Sequence, residues 1–366
     1  MKLVCDGLEL SDALLKVSKG TSTKNTNPIL EGIKLTAEES TLTLSATDLE
    51  LSIEKTIRGE IKLEGETVVP GKLFSEYIKK LNNEQIELNL NDNNILSIKY
   101  TDSVGKIACL NASEFPQIKQ VEYSDYFEIR QKDLKALISK SIFAVAVEDS
   151  RPILKGCKLE VQGGTVTAVA LDGYRLALVK KDVLSSTKDF NIIVSARSLN
   201  EISKLLEDTD VPVKVYVQRN HLMVDLDSTK ITTRLLDGDY INYRQIIPTN
   251  FTTSVILSKE QLESALERAS LLSRIDKNNL VKFDITEKVM VLSSKSELGD
   301  IKENITISLN GNDLTIAFNA RYFSEALRVV NNEFLKLSFT STIAPCIITP
   351  NEGDEFLYLI LPVRII

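Results

Sequence analysis

The side chains that most often carry out catalysis or bind metals are few and widely separated in this sequence. His221 is the only histidine, and no CxxC spacing occurs among the four cysteines, which are Cys5, Cys109, Cys157 and Cys346. A histidine-based triad or a structural zinc site needs several such groups close together. The pattern therefore argues against both, and the cysteines are interpreted as reduced core residues of a cytosolic protein.

Two acidic residues recur in similar surroundings, Asp48 in ATDLEL and Asp172 in ALDGYRL. An aspartate just before a turn usually accepts hydrogen bonds from the backbone of that turn, which is a structural role. The sequence also lacks the GxxxxGK[ST] pattern of nucleotide-hydrolysing P-loops. We therefore expect a non-catalytic protein that uses no cofactor or metal ion.

The segments around these aspartates are two copies of one repeat. PILEGIKL begins at Pro28 and PILKGCKL begins at Pro152, and Asp48 and Asp172 are separated by the same 124 residues. A repeat of this length is a whole domain, because solenoid repeats are only about 20 to 50 residues long. Since the chain has 366 residues, the repeat predicts three domains, at 1–122, 123–248 and 249–366.

Hydrophobic periodicity predicts two helices and several short strands in each third of the chain. The second helix of each third begins at Lys72, Arg197 and Arg321, with spacings of 125 and 124 residues. This order predicts an α+β fold with antiparallel sheets, in which the glycine pair 163–164 forms a hairpin turn. The six predicted helices cover residues 8–19, 72–82, 130–143, 197–206, 258–274 and 321–330.

The charge of the chain is unevenly distributed. The net charge is −7, yet the six predicted helices contain 16 basic and 9 acidic residues, so that they carry +7 and the remainder carries −14. A surface formed by such helices would attract a polyanion without reading its sequence. No apolar run approaches the roughly 20 residues that cross a bilayer, and charges interrupt the first apolar stretch, which argues against a signal peptide.

Several motifs, taken in this order and at this spacing, resemble those of the bacterial DNA polymerase sliding clamps, the beta subunits of the replicative polymerase. They are PILEGIKL, ATDLELSI, VVPGKLF, ASEFPQI, LDGYRLA, LLDGDYINYRQIIP, FNARYF and LPVRI. The resemblance implies three similar α+β domains, each with two helices packed on antiparallel sheets. It also implies that two chains join head to tail into a ring with pseudo-six-fold symmetry.

The function implied by this resemblance is topological. The ring would encircle duplex DNA without sequence specificity and act as a processivity factor that tethers the polymerase. An ATP-driven clamp loader would open it. Repair polymerases and mismatch-repair proteins would share its surface, and the protein would be cytoplasmic and associated with the nucleoid.

The resemblance further implies a hydrophobic peptide pocket between the second and third domains. In that pocket Arg175 and Arg364 are expected to hold the polar ends of a bound peptide. Departures from the family pattern at Ile241, Gln245 and Pro345 leave the preferred peptide motif open. The implied pocket residues are Leu154, Gly173, Tyr174, Arg175, Leu176, Ile241, Ile246, Asn319, Tyr322, Ile343, Leu361, Pro362, Val363 and Arg364.

Two further sets of residues follow from the resemblance. The DNA-contacting candidates, chosen by position and charge, are Lys24, Arg151, Lys79, Lys80, Lys132, Lys140, Arg197 and Lys204. The candidates for the interface between two chains are Phe74, Leu81, Ile107, Cys109, Leu271 and Leu272. The alternatives to a clamp are an enzyme, which the scarcity of catalytic groups disfavours, and a scaffold protein that never meets DNA.

Overall fold

The computed structural model describes residues 1–22, 27–81, 85–148, 151–275 and 279–364, and of residue 275 only the backbone. Strands dominate, and α-helices are interspersed among them. The elements of the first third are β1 (Lys2–Asp6), α1 (Gly7–Val17), β2 (Gly32–Glu38), β3 (Thr41–Thr47), β4 (Leu51–Arg58), β5 (Glu60–Leu63), β6 (Gly65–Pro70), α2 (Gly71–Ile78), β7 (Gln85–Leu90), β8 (Ile95–Tyr100) and β9 (Ser103–Ala108).

The rest of the chain continues in the same style. The middle third forms β10 (Tyr126–Arg130), α3 (Gln131–Ser139), β11 (Gly156–Gln162), β12 (Thr165–Leu171), β13 (Arg175–Asp182), β14 (Ser185–Ser186), β15 (Phe190–Ser195), α4 (Ala196–Leu205), β16 (Pro212–Gln218), β17 (His221–Leu226) and β18 (Thr229–Arg234). The last third forms β19 (Thr253–Ser258), α5 (Lys259–Ile275), β20 (Leu280–Ile285), β21 (Val289–Ser296), β22 (Gly299–Thr306), β23 (Ser308–Gly311), β24 (Leu314–Asn319), α6 (Ala320–Arg328), β25 (Phe334–Phe339), β26 (Cys346–Pro350) and β27 (Phe356–Ile360). Short 3₁₀ turns occur at Ser18–Gly20, Pro28–Glu31, Ala112–Glu114, Ile142–Ala144, Pro152–Lys155 and Tyr243–Gln245.

The predicted repeat is confirmed element by element. Strands β1, β2, β3 and β4 and helix α1 each begin 124 residues before β10, β11, β12, β13 and α3, respectively. Strands β20, β21 and β22 begin 248 residues after β2, β3 and β4, which is twice that spacing. The glycine pair 163–164 has positive φ angles of 59° and 81°, as the predicted hairpin turn requires.

Several helices end earlier than predicted, and this changes the charge pattern. Helix α3 ends at Ser139 because the Ser141 hydroxyl donates to the Leu137 carbonyl at 2.7 Å and closes the last turn. With the observed bounds the six helices contain 11 basic and 9 acidic residues, an excess of +2 rather than +7. The difference consists of basic residues just outside helix ends, namely Lys19, Lys79, Lys80, Arg130 and Lys140.

Contacts divide the chain into two compact units. Unit 1 comprises Met1–Arg130, Ser185–Lys188 and Lys204–Leu235. It contains a five-stranded sheet, in the order β5-β1-β7-β8-β9, and a nine-stranded sheet, in the order β14-β10-β16-β17-β18-β4-β3-β2-β6. Unit 1 includes five strands of the middle third, which join the first third because β18 pairs with β4, so the domain boundaries predicted from the repeat stay a prediction.

Unit 2 comprises Gln131–Leu184, Asp189–Ser203 and Leu236–Ile366. Its nine-stranded sheet has the order β15-β11-β12-β13-β27-β26-β25-β19-β23, and its four-stranded sheet has the order β22-β21-β20-β24. All strand pairs in both units are antiparallel. Helix α5 packs on β21, β22 and α6, and a cluster of aromatic rings from Phe283, Phe318 and Phe323 fills the core beside it.

Helix α1 shows how local sequence produces these elements. The Asp6 side chain accepts hydrogen bonds from the backbone N–H groups of Leu8 and Glu9, both at 2.9 Å, and so caps the helix. The apolar stripe predicted for this helix is present, with Leu10 and Leu14 buried. Helix α6 begins in the same way, because Asn319 accepts a hydrogen bond from the N–H of Arg321.

Candidate functional site

The loop between β12 and β13 is built around Asp172. Its Oδ1 accepts hydrogen bonds from the backbone N–H groups of Tyr174 and Arg175, at 2.9 and 3.0 Å. Gly173, which lies between Asp172 and Tyr174, has a φ of +94°, a conformation that favours glycine. Asp48 makes the equivalent bonds in the first copy, to the N–H groups of Glu50 and Leu51. The interpretation of both aspartates as turn residues is therefore confirmed.

Arg175 is buried within unit 2 and its donors are engaged there, so its expected role in holding a peptide end stays a prediction. Its side chain is only 6% exposed. Its Nε donates to Asp172 at 3.0 Å, Nη2 donates to the Phe143 carbonyl at 2.7 Å, and Nη1 is hydrogen-bonded to Glu325. Its guanidinium also lies 4.8 Å from the ring centre of Tyr322. Arg175 therefore joins β13, α6 and the segment after α3 from within.

Glu325, whose side chain is 23% exposed, completes this charge network. It also accepts a hydrogen bond from Arg321 Nε, at 2.7 Å. Burial would raise the pKa of Glu325, but hydrogen bonds from Arg321 and Arg175 outweigh it and hold the pKa below its ordinary value. The carboxylate therefore stays charged at neutral pH and stabilises the position of α6 against β13.

Four of the predicted pocket residues belong to one aliphatic cluster. Leu154 and Leu176 are buried in it, and Ile241 and Leu361 pack against it half-buried. The chain after β27 is held in position by two backbone hydrogen bonds, from the Leu361 N–H to the Tyr174 carbonyl at 2.9 Å and from the Val363 N–H to the Ala317 carbonyl at 2.8 Å. The structure thus brings the β13 end and the C-terminal segment together, as predicted.

The remaining predicted pocket residues lie at the surface of unit 2. Tyr174 is 61% exposed, and its ring stacks on that of Tyr322 with 6.0 Å between centroids. Ile246 and Ile343 are exposed apolar side chains at 41% and 77%. Pro362 is half-buried, whereas Val363 and Arg364 are exposed, and Asn319 is occupied as the cap of α6. Exposed aliphatic and aromatic side chains of this kind commonly contact partners.

Sequence reasoning missed the residues that fix the segment before β19. The Tyr243 hydroxyl hydrogen-bonds Glu160 at 2.5 Å, and Arg244 Nη2 bonds the same carboxylate at 2.6 Å. The Tyr240 hydroxyl bonds the Gly156 and Val169 carbonyls at 3.2 Å. These contacts hold Ile241 against the aliphatic cluster. The alternation of apolar and polar residues in DYINYR was the available signal, but the partner Glu160 lies 83 residues away.

The DNA-contacting candidates differ in their exposure. Lys140 is largely enclosed, lying 3.8 Å from Glu355 and over the Phe356 ring, so it is not available as a free surface cation. Lys132 is half-buried, and Lys24 lies outside the described residues. The exposed candidates are Arg151, Lys79, Lys80, Arg197 and Lys204.

The interface candidates are also unequal. Phe74 is fully buried because α2 turns this residue, with Ile78, toward the core of unit 1, and the exposed apolar residue of the helix is Leu73. Leu81 and Ile107 are nearly buried, and Cys109 is half-buried. Leu271 is 56% exposed near the end of α5, while its neighbour Leu272 is half-buried. The exposed side chains are therefore Leu73 and Leu271.

The groups most suited to catalysis do not come together. In the described part of the chain no cluster of three or more histidine, cysteine, aspartate or glutamate side chains could hold a metal ion. Burial raises the pKa of Cys5 and of Cys157 to about 12, which suppresses their thiolates. Over the same residues, no helix is both long and apolar enough to span a membrane.

A threefold repeated α+β chain of this kind has the architecture of a DNA sliding clamp. Solved structures of sliding clamps superpose on the whole chain. The sliding clamp from Bacillus subtilis is 30% identical, covers 100% of both chains and superposes with a TM-score of 0.97. The clamp from Pseudomonas aeruginosa bound to griselimycin is 26% identical, again over 100% of both chains, with a TM-score of 0.93.

Relatives of known sequence agree with the structures. The beta sliding clamp of Halalkalibacterium halodurans is 33% identical over 362 residues, which is 95% of each chain. That of Staphylococcus aureus is 31% identical over 366 residues, with 97% of this chain and 96% of the other covered. Family models of the N-terminal, central and C-terminal domains of the DNA polymerase III beta subunit match residues 1–119, 128–242 and 244–364. The chain belongs to the DNA polymerase III beta subunit family.

Proposed function

We propose that this chain is the processivity factor of a replicative DNA polymerase, a non-catalytic clamp that two copies close around duplex DNA. The observation that carries the proposal is the family membership of the whole chain, from residue 1 to residue 364. Its setting is the cytoplasm, in association with the nucleoid. Tethering the polymerase to its template requires a closed path around the duplex and a surface that grips the polymerase, and the structure offers features suited to both.

Sheet topology supports closure by a second copy. Each nine-stranded sheet consists of five strands and four strands joined at one antiparallel pair, β18 with β4 in unit 1 and β13 with β27 in unit 2. The two other sheets have five strands, ending at β9, and four strands, ending at β22. Pairing β9 of one copy with β22 of another would complete a third nine-stranded sheet. An edge strand with unpaired backbone groups favours such pairing.

The repeat also predicts the register of that pairing. The β18–β4 pair places Thr232 opposite Ser52. By the repeat spacing, the equivalent residues are Lys106 on β9 and Asp300 on β22. Their opposite charges favour this alignment. A groove of about 540 Å³ beside the end of β9, lined by Leu73 and Leu110, would receive apolar side chains of the partner subunit.

The second functional surface is the aliphatic cluster of unit 2 with its exposed rim. We propose that it binds a short apolar peptide motif of the polymerase, the clamp loader, repair polymerases and mismatch-repair proteins. Leu176 and Leu154 would form the floor, and Tyr174, Ile246 and Ile343 the rim. An apolar floor gives affinity to Leu and Phe side chains, while the exposed rim excludes water from them.

DNA contact is proposed through exposed basic residues, of which Arg151 and Arg197 are examples. Such contacts attract the duplex through its phosphates and do not read its sequence. Weak, hydrated contacts of this kind allow a protein to slide along DNA.

The decisive experiment is topological. The protein is loaded with a clamp loader onto nicked circular DNA, isolated by gel filtration, and the DNA is then linearised. A clamp stays with the circle and leaves the linear duplex through its ends. Equal retention on both forms, or retention on neither, would contradict the proposal and favour a scaffold protein.

The interface is tested by exchanging charges. Lys106→Asp and Asp300→Lys each weaken the dimer, whereas the double variant restores it, because the pair is reversed but still complementary. Sedimentation equilibrium measures the mass, which is expected to be about twice 40.8 kDa for the unaltered chain. Leu271→Ala combined with Leu272→Ala shifts the mass toward that of one chain. If the double charge variant dimerises no more strongly than the single variants, the predicted register is contradicted.

The peptide site is tested at its rim, because rim residues can be changed without disturbing the core. Ile343→Ala and Tyr174→Ala are expected to weaken a fluorescent clamp-binding peptide by about tenfold or more, as hot-spot side chains do. Leu63→Ala, which removes an equally exposed leucine from unit 1, is the matched control. Unchanged peptide affinity in both rim variants argues against the site.

A further inference from the structure

A groove of about 360 Å³ lies on the nine-stranded sheet of unit 1. The loop between β3 and β4 forms one side of it, the segment 116–119 crosses it, and β17 and β18 form its floor. None of the functions proposed above uses this groove. Two features of its lining are unusual, a group of unpaired cations and a leucine in a backbone conformation that suits glycine.

Three basic side chains converge in the groove: Lys119, His221 and Arg234. His221 and Arg234 are directly opposite in the β17–β18 pair, and the Arg234 N–H donates to the Glu50 carbonyl at 2.9 Å. Among the described residues, none of the three has an ion-pair partner. Burial, Arg234 and Lys119 together lower the pKa of His221, which agrees with a site of positive potential.

Leu49 stands at the rim of the same groove with a φ of +79°. A branched side chain in this left-handed region is uncommon and costs free energy. The conformation is held by the Thr47 hydroxyl, which accepts from the Leu49 N–H at 3.0 Å, and the side chain is 63% exposed. The equivalent residue of the second copy is Gly173, which has the same conformation without strain. Contact with a ligand would explain an apolar side chain displayed here.

We propose that this groove is a second docking site, which takes an acidic peptide segment with an aliphatic side chain next to its carboxylates. Lys119, His221 and Arg234 bind the carboxylates, and Leu49 and Ile118 contact the aliphatic group. The site is separate from the aliphatic cluster of unit 2, and the inference does not depend on a peptide binding there.

A peptide fits the lining better than a nucleic acid does. The phosphate backbone of DNA offers no aliphatic group to Leu49 and Ile118, whereas an Asp-Leu or Glu-Leu pair presents both chemistries within one extended residue pair. Glu50 at the rim and Glu54 further along the same sheet face also disfavour a long run of phosphates. A short acidic segment can contact the three basic side chains without approaching both Glu50 and Glu54.

The test uses the full chain and a fluorescein-labelled peptide, acetyl-Gly-Asp-Leu-Asp-Leu-Gly-amide, measured by fluorescence anisotropy at low salt. The peptide is expected to bind, and Arg234→Glu is expected to weaken it by about tenfold, because a cation is replaced by a repelling anion. Arg219→Glu is the matched control, since this exposed arginine in the turn between β16 and β17 does not line the groove. Equal loss in both variants contradicts the site.

Leu49→Gly separates binding from folding. This variant relieves the strained conformation, so the melting temperature is not expected to fall, while peptide affinity is expected to fall several-fold. Retained affinity in Leu49→Gly contradicts the role of the leucine. Displacement of the peptide by a twelve-nucleotide single strand or by inorganic phosphate at similar concentration overturns the proposal in favour of a phosphate site.

His221 gives an independent signal because it is the only histidine of the chain. The charged groups that face it are Arg234 on β18, Lys119 on the crossing segment and Glu50 at the rim, and its partner on β16 is the neutral Gln218. A bound carboxylate raises the pKa of His221, which imidazole NMR titration detects with and without the peptide. An unchanged titration at saturating peptide overturns the assignment.

Discussion

Equivalent faces of the nine-stranded sheets in units 1 and 2 carry different side chains, polar in unit 1 and aliphatic in unit 2. The joint of each nine-stranded sheet is the strand pair β18–β4 in unit 1 and β13–β27 in unit 2. Around it unit 1 has polar side chains, whereas unit 2 has aliphatic ones. Residues of β3 and β4 correspond to those 124 positions later, and the residue opposite Ser52 on β18 corresponds to the residue opposite Leu176 on β27. The strand pairing is nevertheless the same in both. The unit 1 residues are Ser45, Thr47, Ser52, Glu54 and Thr232, and their counterparts are Val169, Leu171, Leu176, Leu178 and Leu359.

The comparison shows which parts of the repeat carry the fold. The opposite face of the same strands is apolar in both copies, with Leu44 and Ile53 in the first and Ala168 and Ala177 in the second all fully buried. That face supplies the hydrophobic free energy of folding. The joint face could therefore diverge into a buried aliphatic cluster in one copy and a charged groove in the other, because pairing depends on the backbone rather than on its side chains.

Arg175→Ala is expected to give the largest effect. It removes a buried cation that donates to Asp172, Glu325 and the Phe143 carbonyl, and breaking such a buried network costs about 3–5 kcal/mol. Glu325 keeps its exposed partner Arg321. The equivalent residue of the first copy is Leu51, which has no such network. Chemical denaturation followed by circular dichroism measures the loss. Arg175→Lys, which keeps the charge but not the planar guanidinium with its several donors, is the control and should lose less stability.

Leu176→Ala and Ser52→Ala compare the two faces directly. Leu176 is 2% exposed within an aliphatic cluster, so its truncation is expected to destabilise the protein by about 2–5 kcal/mol. Ser52 loses only its hydrogen bond to the Thr47 hydroxyl, worth about 1 kcal/mol. The same denaturation measurement applies to both. Similar losses would show that the polar face is packed as tightly as the aliphatic one.

The pair Gly173→Ala and Leu49→Gly tests the loop conformation. A Cβ at Gly173, with φ +94°, is expected to cost about 1–2 kcal/mol. The reverse change at Leu49 relieves a similar strain, and the greater freedom of glycine in the unfolded chain offsets part of this gain. A net stabilisation below about 1 kcal/mol is expected. Differential scanning calorimetry of the two variants should show melting temperatures shifted in opposite directions.

Acid should change the contributions of Glu325 on α6 of unit 2 and of Glu54 on the polar face of unit 1 with opposite sign. The pKa of Glu325 is lowered, so its contribution to stability is present above its ordinary value and is lost as the pH falls through the folded-state pKa. The pKa of Glu54 is raised, mainly by burial, so its charged form opposes folding near neutral pH and protonation relieves this. Glu325→Gln should therefore destabilise at pH 7, and Glu54→Gln should stabilise.

Both effects should shrink at about pH 4, where the carboxyl groups approach protonation. Thermal melts of the two variants and the unaltered chain at the two pH values provide the measurement. A Glu54→Gln variant that is less stable at pH 7 would contradict the account of the polar face.

Sequence reasoning worked where the determinants were local or repeated. The element order followed from apolar periodicity, the repeat spacing from the matching motifs PILEGIKL and PILKGCKL, and the role of Asp172 from its turn. The burial of Arg175 could not be predicted because Glu325, its partner, lies 150 residues away and no local pattern reveals it. The burial of Phe74 was hidden for a different reason: neighbouring apolar residues in KLFSEYI left open which side of α2 faces the core, and packing selected Phe74 over Leu73.

The proposed pairing between the unlike edges β9 and β22 has a consequence for how the assembly of copies ends. A joint between two different edges leaves one free edge of each kind after every addition, so association either closes on itself or extends into a filament. The angle between successive copies, and not the strength of the joint, decides which occurs. A chain altered on one edge only would still join by its other edge. When mixed with unaltered chains, it would therefore end such a filament or prevent a ring from closing.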